Sequence, residues 1–207
     1  MPHDGPHHHG HDHAPDDPSF GSRAALGARA LRELLEEAGV LAPGEVARQV
    51  ERMDTITPAL GAKVVARAWT DPDFKARLLA DGSAAVREFG VEMGTTPLYV
   101  VENTESVHNM IVCTLCSCYP KPLLGIPPDW YKSFEYRSRA VREPRAVLAE
   151  FGVRLPDGVA VRVHDSTADL RYLVLPRRPE GTEGWDEARL AGLVTRDCMI
   201  GTAVPSA

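Results

Sequence analysis

The first half of the chain carries hydrophobic residues at helical spacing. Between residues 22 and 39 an apolar side chain returns at every fourth position, which predicts a helix with Ser22 as its N-cap and Gly39 at its end. A second amphipathic helix is predicted after Pro43. Neither helix is long enough to be stable alone in water, so both are expected to pack on another surface.

Start and stop signals predict three more helices between residues 57 and 90. Proline follows both Thr57 and Asp71, which favours a helix start at each, and Ser83 is a third N-cap candidate. Gly82 and Gly90 mark helix ends.

From residue 98 the hydrophobic pattern becomes typical of strands. The predicted strands are residues 98–101, 107–112, 159–163 and 170–175, and the predicted helices are residues 129–138, 144–151 and 186–195. The second strand leads directly into a cysteine-rich loop, so the end of this strand should hold the loop in position.

The composition excludes several classes of function. A net charge of −6 offers no basic surface for nucleic acid, and no apolar run approaches the length of a membrane span. The N-terminus lacks the basic start and apolar core of a signal peptide, so we expect a cytoplasmic protein.

Residues 1–21 form a tail that we expect to be disordered, because it is polar and rich in proline and glycine. Its metal-binding side chains are His3, His7, His8, His9, His11 and His13, with Asp4, Asp12, Asp16 and Asp17 between them. Histidine tracts bind divalent metals weakly. The sequence leaves open whether the tail gathers metal or has no role.

The candidate chemistry lies in a cluster of three cysteines, Cys113, Cys116 and Cys118, spaced C-x-x-C-x-C. The spacing favours a metal site, with a redox thiol pair or a disulfide as alternatives. Zinc sites close with four ligands, and the remaining cysteine, Cys198, is far downstream. If the amide nitrogens of Ser117 and Cys118 were deprotonated, they would complete an N2S3 set with one open position. Such a set suits a low-spin trivalent metal and hydration chemistry.

The segment V-C-T-L-C-S-C-Y-P at residues 112–120 resembles the metal-binding claw of the nitrile hydratase alpha subunit. We call residues 113–118 the claw loop. Further matching segments are residues 61–65, 68–72, 101–104, 107–109, 124–132, 142–145, 171–176, 181–185 and 194–197. The resemblance covers residues 22–204, and the threonine at position 114 is typical of the cobalt members. The thiocyanate hydrolase gamma subunit is a homologue of this family.

The resemblance implies an α+β fold in which an N-terminal helical arm precedes a layered α/β/β/α domain carrying the metal claw loop. It divides the chain into the tail (1–21), an arm that packs on a partner subunit (22–56) and a catalytic metal-binding domain (57–207). It also implies a beta subunit in a heterotetramer, a cobalt-insertion activator protein and a small nitrile as substrate.

The resemblance implies the roles of the claw residues as well. Cys113, Cys116, Ser117 and Cys118 would hold trivalent cobalt, with Cys116 as sulfinate, Cys118 as sulfenate and Cys113 as unmodified thiolate. Cys116, Ser117 and Cys118 would act in catalysis, with the Ser117 hydroxyl bonding the sixth ligand. The nucleophile stays open between the sulfenate oxygen and a metal-activated hydroxide.

Two departures from the family pattern bear on the choice of substrate. Lys121 stands where tryptophan is usual, and residues 94–97 lack a glutamine that many members carry. Lys121 and the tail point to thiocyanate hydrolysis as the alternative, whereas the V-E-N-T segment at residues 101–104 favours nitrile hydration. A third possibility is a non-catalytic metal or redox module.

Other polar residues have simpler explanations. His108 is expected to be a hydrogen-bonded structural residue. His164 and Asp165 are a weak catalytic pair, because adjacent strand residues point to opposite faces. A basic run begins at Arg137, the arginine nearest to the claw loop in sequence, and we expect it to be solvated. Cys198 is expected to be a buried thiol.

Overall fold

The computed structural model describes residues 23–116 and 118–207. The tail over residues 1–21, the predicted cap Ser22 and the claw residue Ser117 therefore lie outside the described residues. The chain divides after Val50 into two compact units. No helix in the described ranges combines the length and the hydropathy that crossing a bilayer requires.

Two helices open the described chain, α1 (Arg23–Glu37) and α2 (Glu45–Thr55), and the division between the units falls inside α2. Gly39 follows α1 with a φ of 67°, so the glycine signal for the end of this helix is confirmed. No residue of either helix is buried. Leu31 and Leu34, on α1, are 58% and 62% exposed.

The second unit is built from short helices and four strands. Its helices are α3 (Ala59–Thr70), α4 (Pro72–Ala80), α5 (Gly82–Val86), α6 (Lys121–Leu124), α7 (Asp129–Lys132), α8 (Phe134–Arg142), α9 (Pro144–Glu150), α10 (Glu187–Ala191) and α11 (Arg196–Ile200), with a 3-10 helix at Arg87–Phe89. Its strands are β1 (Leu98–Glu102), β2 (Val107–Val112), β3 (Ala160–Asp165) and β4 (Arg171–Leu175). The predicted α+β class is confirmed, and the α/β/β/α layer order stays a prediction.

The four strands pair as two parallel two-stranded sheets, β1 with β4 and β2 with β3. The register of the second pair sets Val112 opposite Asp165, so the claw loop leaves β2 beside the last residue of β3. The end of β2 is deeply buried: Met110, Ile111 and Val112 are all 0% exposed.

A close backbone contact between Gly201 and Asn109 holds β2 in place. Gly201, just after α11, has a φ of 92°, and a Cβ added there would lie 2.1 Å from the Asn109 carbonyl oxygen. Only glycine fits this approach without strain. The claw loop therefore begins from a strand that the core holds tightly.

Four predicted helix boundaries are wrong, and one of them is Gly82, which was predicted to end a helix and is the first residue of α5. Ser133 divides the predicted helix 129–138, because its hydroxyl accepts from the Tyr136 amide and starts α8 as an N-cap. Thr195 likewise starts a separate helix, α11, where one helix over residues 186–195 was predicted. Asp81, instead of Ser83, caps α5, since its carboxylate accepts from the Ala84 amide at 2.9 Å.

Candidate metal centre

The three claw cysteines converge at the end of β2. The Cys113 and Cys116 sulfurs are 3.5 Å apart, the Cys116 and Cys118 sulfurs are 3.3 Å apart, and all three lie within 4.8 Å of one another. These separations exceed a disulfide bond of about 2.05 Å, so the loop carries thiols. Cys113 is buried and Cys116 is exposed, so the cluster reaches from the core to the surface.

Asp165 anchors the loop from the neighbouring strand. Its carboxylate accepts from the Thr114 amide at 3.0 Å and from the Thr114 hydroxyl at 2.5 Å. The register of β2 with β3 produces this contact, because it places Asp165 where the loop begins. Arg137 adds a bond from its guanidinium to the Thr114 carbonyl oxygen at 3.2 Å.

Two tyrosines support the loop from below. The Tyr131 hydroxyl donates to the Cys118 carbonyl oxygen at 2.9 Å, and the Tyr136 hydroxyl donates to the Ile111 carbonyl oxygen at 2.6 Å. Burial raises the pKa of both phenols, so they remain protonated donors. Trp130 and Phe151 pack edge to face at 4.7 Å beside them, which stiffens this support.

The Cys118 thiol resists losing its proton. Burial raises the pKa of the Cys118 thiol to about 12, with further increases from hydrogen bonds to Cys116 and Cys113, while Arg171 opposes the shift. Thiols must lose their protons to bind a metal, so metal binding at this loop must release protons. Three convergent sulfurs without a carboxylate favour a thiophilic transition metal over calcium or magnesium.

A cavity of about 460 Å³ opens beside Cys116 and Cys118. The other residues that line it are Met93, Thr96, Tyr119, Lys121, Pro122 and Arg171. This volume is within the range of small-molecule sites, roughly 300–1,000 Å³. The arrangement therefore combines a set of metal ligands with space for a small molecule.

Within residues 23–116 and 118–207 both histidines make structural contacts, which confirms the prediction for His108. His108 is 4% exposed, and its Nε2–H donates to the Gly201 carbonyl oxygen at 2.7 Å. His164 Nε2 lies 2.8 Å from the Asn109 side-chain oxygen, while Asp165 turns to the claw loop. Burial lowers the pKa of both histidines.

Cys198 is 1% exposed, which confirms it as a buried thiol. Within the basic run, Arg139 pairs with Glu143 and Glu150, both at 2.6 Å. Arg142 and Arg145 instead donate to backbone carbonyl oxygens of Ser138 and Val159.

The sequence reasoning missed three residues of the site: Asp165, Tyr131 and Arg171. Arg137 was expected to be solvated, whereas its guanidinium bonds the claw loop, and Arg171 lines the cavity. Asp165 was considered only as a partner of His164. The contact between Asp165 and Thr114 could have been predicted by pairing β3 with β2 in the correct register.

Comparison with known proteins identifies relatives along almost the whole chain. The family model for the nitrile hydratase alpha chain matches residues 22–203. A low-molecular weight cobalt-containing nitrile hydratase subunit alpha from Rhodococcus rhodochrous is 50% identical over 191 residues, covering 91% of this chain and 92% of the relative. The thiocyanate hydrolase subunit gamma from Thiobacillus thioparus is 45% identical over 188 residues, covering 85% of this chain and 77% of that subunit.

Solved structures agree with these relatives. A double mutant of the Fe-type nitrile hydratase from Comamonas testosteroni Ni1 superposes with a TM-score of 0.82 at 46% identity, covering 90% of this chain and 93% of the other. A recombinant thiocyanate hydrolase with partially modified cobalt centres superposes with a TM-score of 0.84 at 44% identity, covering 89% of this chain and 91% of the other.

Proposed function

The chain belongs to the nitrile hydratase alpha-chain family, and on this premise we propose that it is the metal-carrying subunit of a cobalt-dependent nitrile hydratase. Such an enzyme adds one water to the C≡N bond of a nitrile and forms an amide. The observation that carries the proposal is the convergence of three claw sulfurs beside an open cavity.

Cys113, Cys116 and Cys118 would hold the cobalt, together with the backbone nitrogens of Ser117 and Cys118. Bound cobalt would supply Lewis acidity to polarise a nitrile or a water. Thr114 gives the loop the sequence of the cobalt members, and the relatives named cobalt-containing carry the same implication.

The chain's own residues prepare this site before a substrate arrives. Asp165, Arg137 and Tyr131 each bond the backbone or the threonine of the claw loop, which limits its motion. Such preorganisation matters because outer contacts of this kind typically change metal affinity or activity by about 10–100-fold. Cys116 and Cys118 line the cavity, so they are the groups that a bound nitrile would meet.

We further propose that Cys116 becomes a sulfinate and Cys118 a sulfenate, with Cys113 unmodified. The exposure of the three residues supports this order, because Cys113 is buried, whereas Cys116 is exposed and Cys118 intermediate. In this proposal Cys116, Ser117 and Cys118 act in catalysis. Peptide mass spectrometry of active protein measures the oxidation state directly, and activity with both thiols unmodified would contradict it.

Active material is proposed to be a heterotetramer with a beta subunit, loaded by an activator protein. Exposed leucines on α1 support a partner for the 22–56 arm, since such residues are usually covered when they cluster. The cytoplasmic location stays a prediction.

Thiocyanate hydrolysis is the second candidate function. Lys121 supports it, because this cation lines the cavity beside Cys116 and Cys118, where it would attract an anion. In that reaction thiocyanate and two waters give carbonyl sulfide, ammonia and hydroxide. Nitrile hydration is better supported, since relatives at 50–53% identity are named nitrile hydratase subunits.

The test is co-expression with the beta-type chain in cobalt medium, followed by assays on a nitrile panel and on thiocyanate. We expect amide formation and stoichiometric cobalt, both lost in Cys113→Ala. Cys198→Ala is the matched control, because it removes a cysteine outside the cavity. Stoichiometric zinc or iron in fully active protein would contradict the cobalt assignment. Cobalt binding without turnover or oxidised thiols would instead indicate a non-catalytic metal module.

A further inference from the structure

A second cavity lies at the opposite end of β2 from the claw loop. Its volume is about 310 Å³, which is at the lower end of the range for small-molecule sites. His108, the second residue of β2, lines this second cavity, roughly 16 Å along the strand from Cys113. The second cavity shares no lining residue with the cavity beside Cys116 and Cys118, so the two are separate places in the fold.

Much of the lining of the second cavity is apolar. Leu155, Pro156 and Val159 contribute from the segment that precedes β3, and Val204 and Pro205 contribute from the last residues of the chain. An aliphatic group that displaced water from these side chains would be stabilised by the hydrophobic effect.

Most polar groups at the second cavity already have partners within the chain. The His108 Nε2–H donates to the Gly201 carbonyl oxygen at 2.7 Å, and its Nδ1 lies 3.4 Å from the Asn103 side-chain nitrogen. Arg177 pairs with Glu105 at 3.5 Å, so these two charges offset each other. These groups are satisfied without a ligand.

Arg178 is the exception. Its guanidinium donates to the Thr182 hydroxyl at 3.0 Å, to the Trp69 carbonyl oxygen at 3.2 Å and to the Thr182 carbonyl oxygen. All three acceptors are uncharged, and Arg178 forms no ion pair within residues 23–116 and 118–207. A guanidinium carries more N–H donors than these bonds use. A partly buried cation, held in a fixed orientation, therefore has charge and donors to offer a ligand.

We propose that the second cavity binds a small carboxylate with an aliphatic body, whose carboxylate contacts Arg178 and whose aliphatic group packs on Leu155, Val159 and Val204. The planar guanidinium suits this ligand, because its donors match the two oxygens of a carboxylate. The site is separate from the cavity of the claw loop, so the inference does not depend on the proposed function.

Two kinds of molecule carry this chemistry, a simple aliphatic acid and an aliphatic amino acid. Glu180 bears on the choice, because it also lines the second cavity and is exposed. It forms no ion pair in the part of the chain that the structure describes. The ammonium of an amino acid would pair with this carboxylate, whereas a simple acid would leave it unpaired.

The rival explanation is that Arg178 is purely structural, since its bond to Trp69 ties the segment after β4 to α3. A structural arginine affects stability, and filling the cavity beside it would change no binding. A ligand site predicts instead that filling the cavity abolishes binding even when every bond of Arg178 remains.

The experiment uses the assembled, cobalt-loaded complex and equilibrium dialysis of labelled 4-methylpentanoate, leucine and the neutral 4-methylpentanamide. In Arg178→Gln we expect binding of the acid to weaken roughly tenfold, because charge-assisted hydrogen bonds are lost. The amide should bind more weakly than the acid to the native complex. Arg162→Gln is the matched control, because Arg162 is exposed on β3 and does not line the second cavity.

Val204→Trp is the second variant, and it keeps Arg178 in place. Val204 is 53% exposed, so an indole at this position can occupy the second cavity without entering the core. Binding of the acid should be lost in this variant, while its cobalt content and unfolding temperature stay at the native values. It tests the inference even if Arg178→Gln fails to fold.

Photolabelling with the diazirine acid 4,4-azipentanoate locates the bound carboxylate, and labels are expected on the peptides that contain Leu155, Val159 or Val204. Labels confined to the claw peptide, equal binding of acid and amide, or unchanged binding in Val204→Trp would each overturn the inference. Tighter binding of leucine than of the acid, with the difference lost in Glu180→Gln, would support it and identify an amino acid. Weaker binding of leucine than of the acid would support it and identify a simple acid.

Discussion

Replacing Asp165 with alanine tests whether this carboxylate holds the claw loop in place. The change removes two hydrogen bonds, to the Thr114 amide at 3.0 Å and to the Thr114 hydroxyl at 2.5 Å. A hydrogen bond to a charged group contributes about 1.5–3 kcal/mol in a protected site. Both bonds are exposed, so about 1 kcal/mol each is a suitable value after solvent screening.

Together the two bonds bias the loop toward its anchored conformation by about 2 kcal/mol, which is roughly a thirtyfold change in population. We therefore expect Asp165→Ala to lose cobalt to a chelator about thirtyfold faster than the native complex. Asp165→Asn, which keeps one acceptor oxygen, should be intermediate. The overall unfolding temperature should fall by only a few degrees, since the contact lies at the surface.

The assay follows cobalt absorbance after addition of excess chelator, with elemental analysis of the starting protein. Asp169→Ala is the matched control, because it removes an exposed aspartate four residues further along that does not contact the loop. If Asp165→Ala and Asp169→Ala lost cobalt at the same rate, the anchoring role of Asp165 would be refuted.

Two further predictions concern pH. Because burial raises the pKa of the Cys118 thiol to about 12, cobalt uptake should release protons, and the affinity for cobalt should increase as pH rises from 6 to 9. Competition titrations against a chelator at each pH measure this affinity. A pH-independent affinity would contradict the prediction. Burial lowers the pKa of His108 and His164 in the folded chain, so the unfolded chain binds protons first below the ordinary value of 6.5. Stability should therefore be complete above pH 6.5 and decline below it, by at most about 1.4 kcal/mol per pH unit for each histidine. Denaturant titrations between pH 5 and 7.5 should show a shallower decline for His108→Gln, and an unchanged slope would refute its contribution.

Local signals predicted the elements whose boundaries are set by local contacts. Asp71 followed by proline was recognised as a helix start, and the structure shows the Asp71 carboxylate accepting from the Phe74 amide. The helix start at Ser133 was not predicted, because apolar residues continue at helical spacing on both sides of it. The claw cysteines were found from spacing alone, since all three lie in one loop.

The parts of the site that sequence reasoning missed depend on contacts between distant segments. Thr114 and Asp165 are 51 residues apart, and only the parallel register of β2 with β3 brings them together. Arg171 reaches the cavity because β4 begins there, which no periodicity in the sequence reveals. Lys121 was recognised as a departure from the family pattern, but the cavity that it shares with Arg171 required the fold.

The long separation between Thr114 and its anchor has a consequence for biosynthesis. Translation proceeds at about 5–20 residues per second, so the three claw thiols are synthesised roughly 3–10 s before Asp165 exists. During that interval the growing chain carries clustered thiols whose loop lacks the Asp165 anchor. Metal that entered then would meet a loop able to bind in many geometries. Cobalt loading should therefore follow the pairing of β3 with β2, so that the sheet is complete before the metal binds.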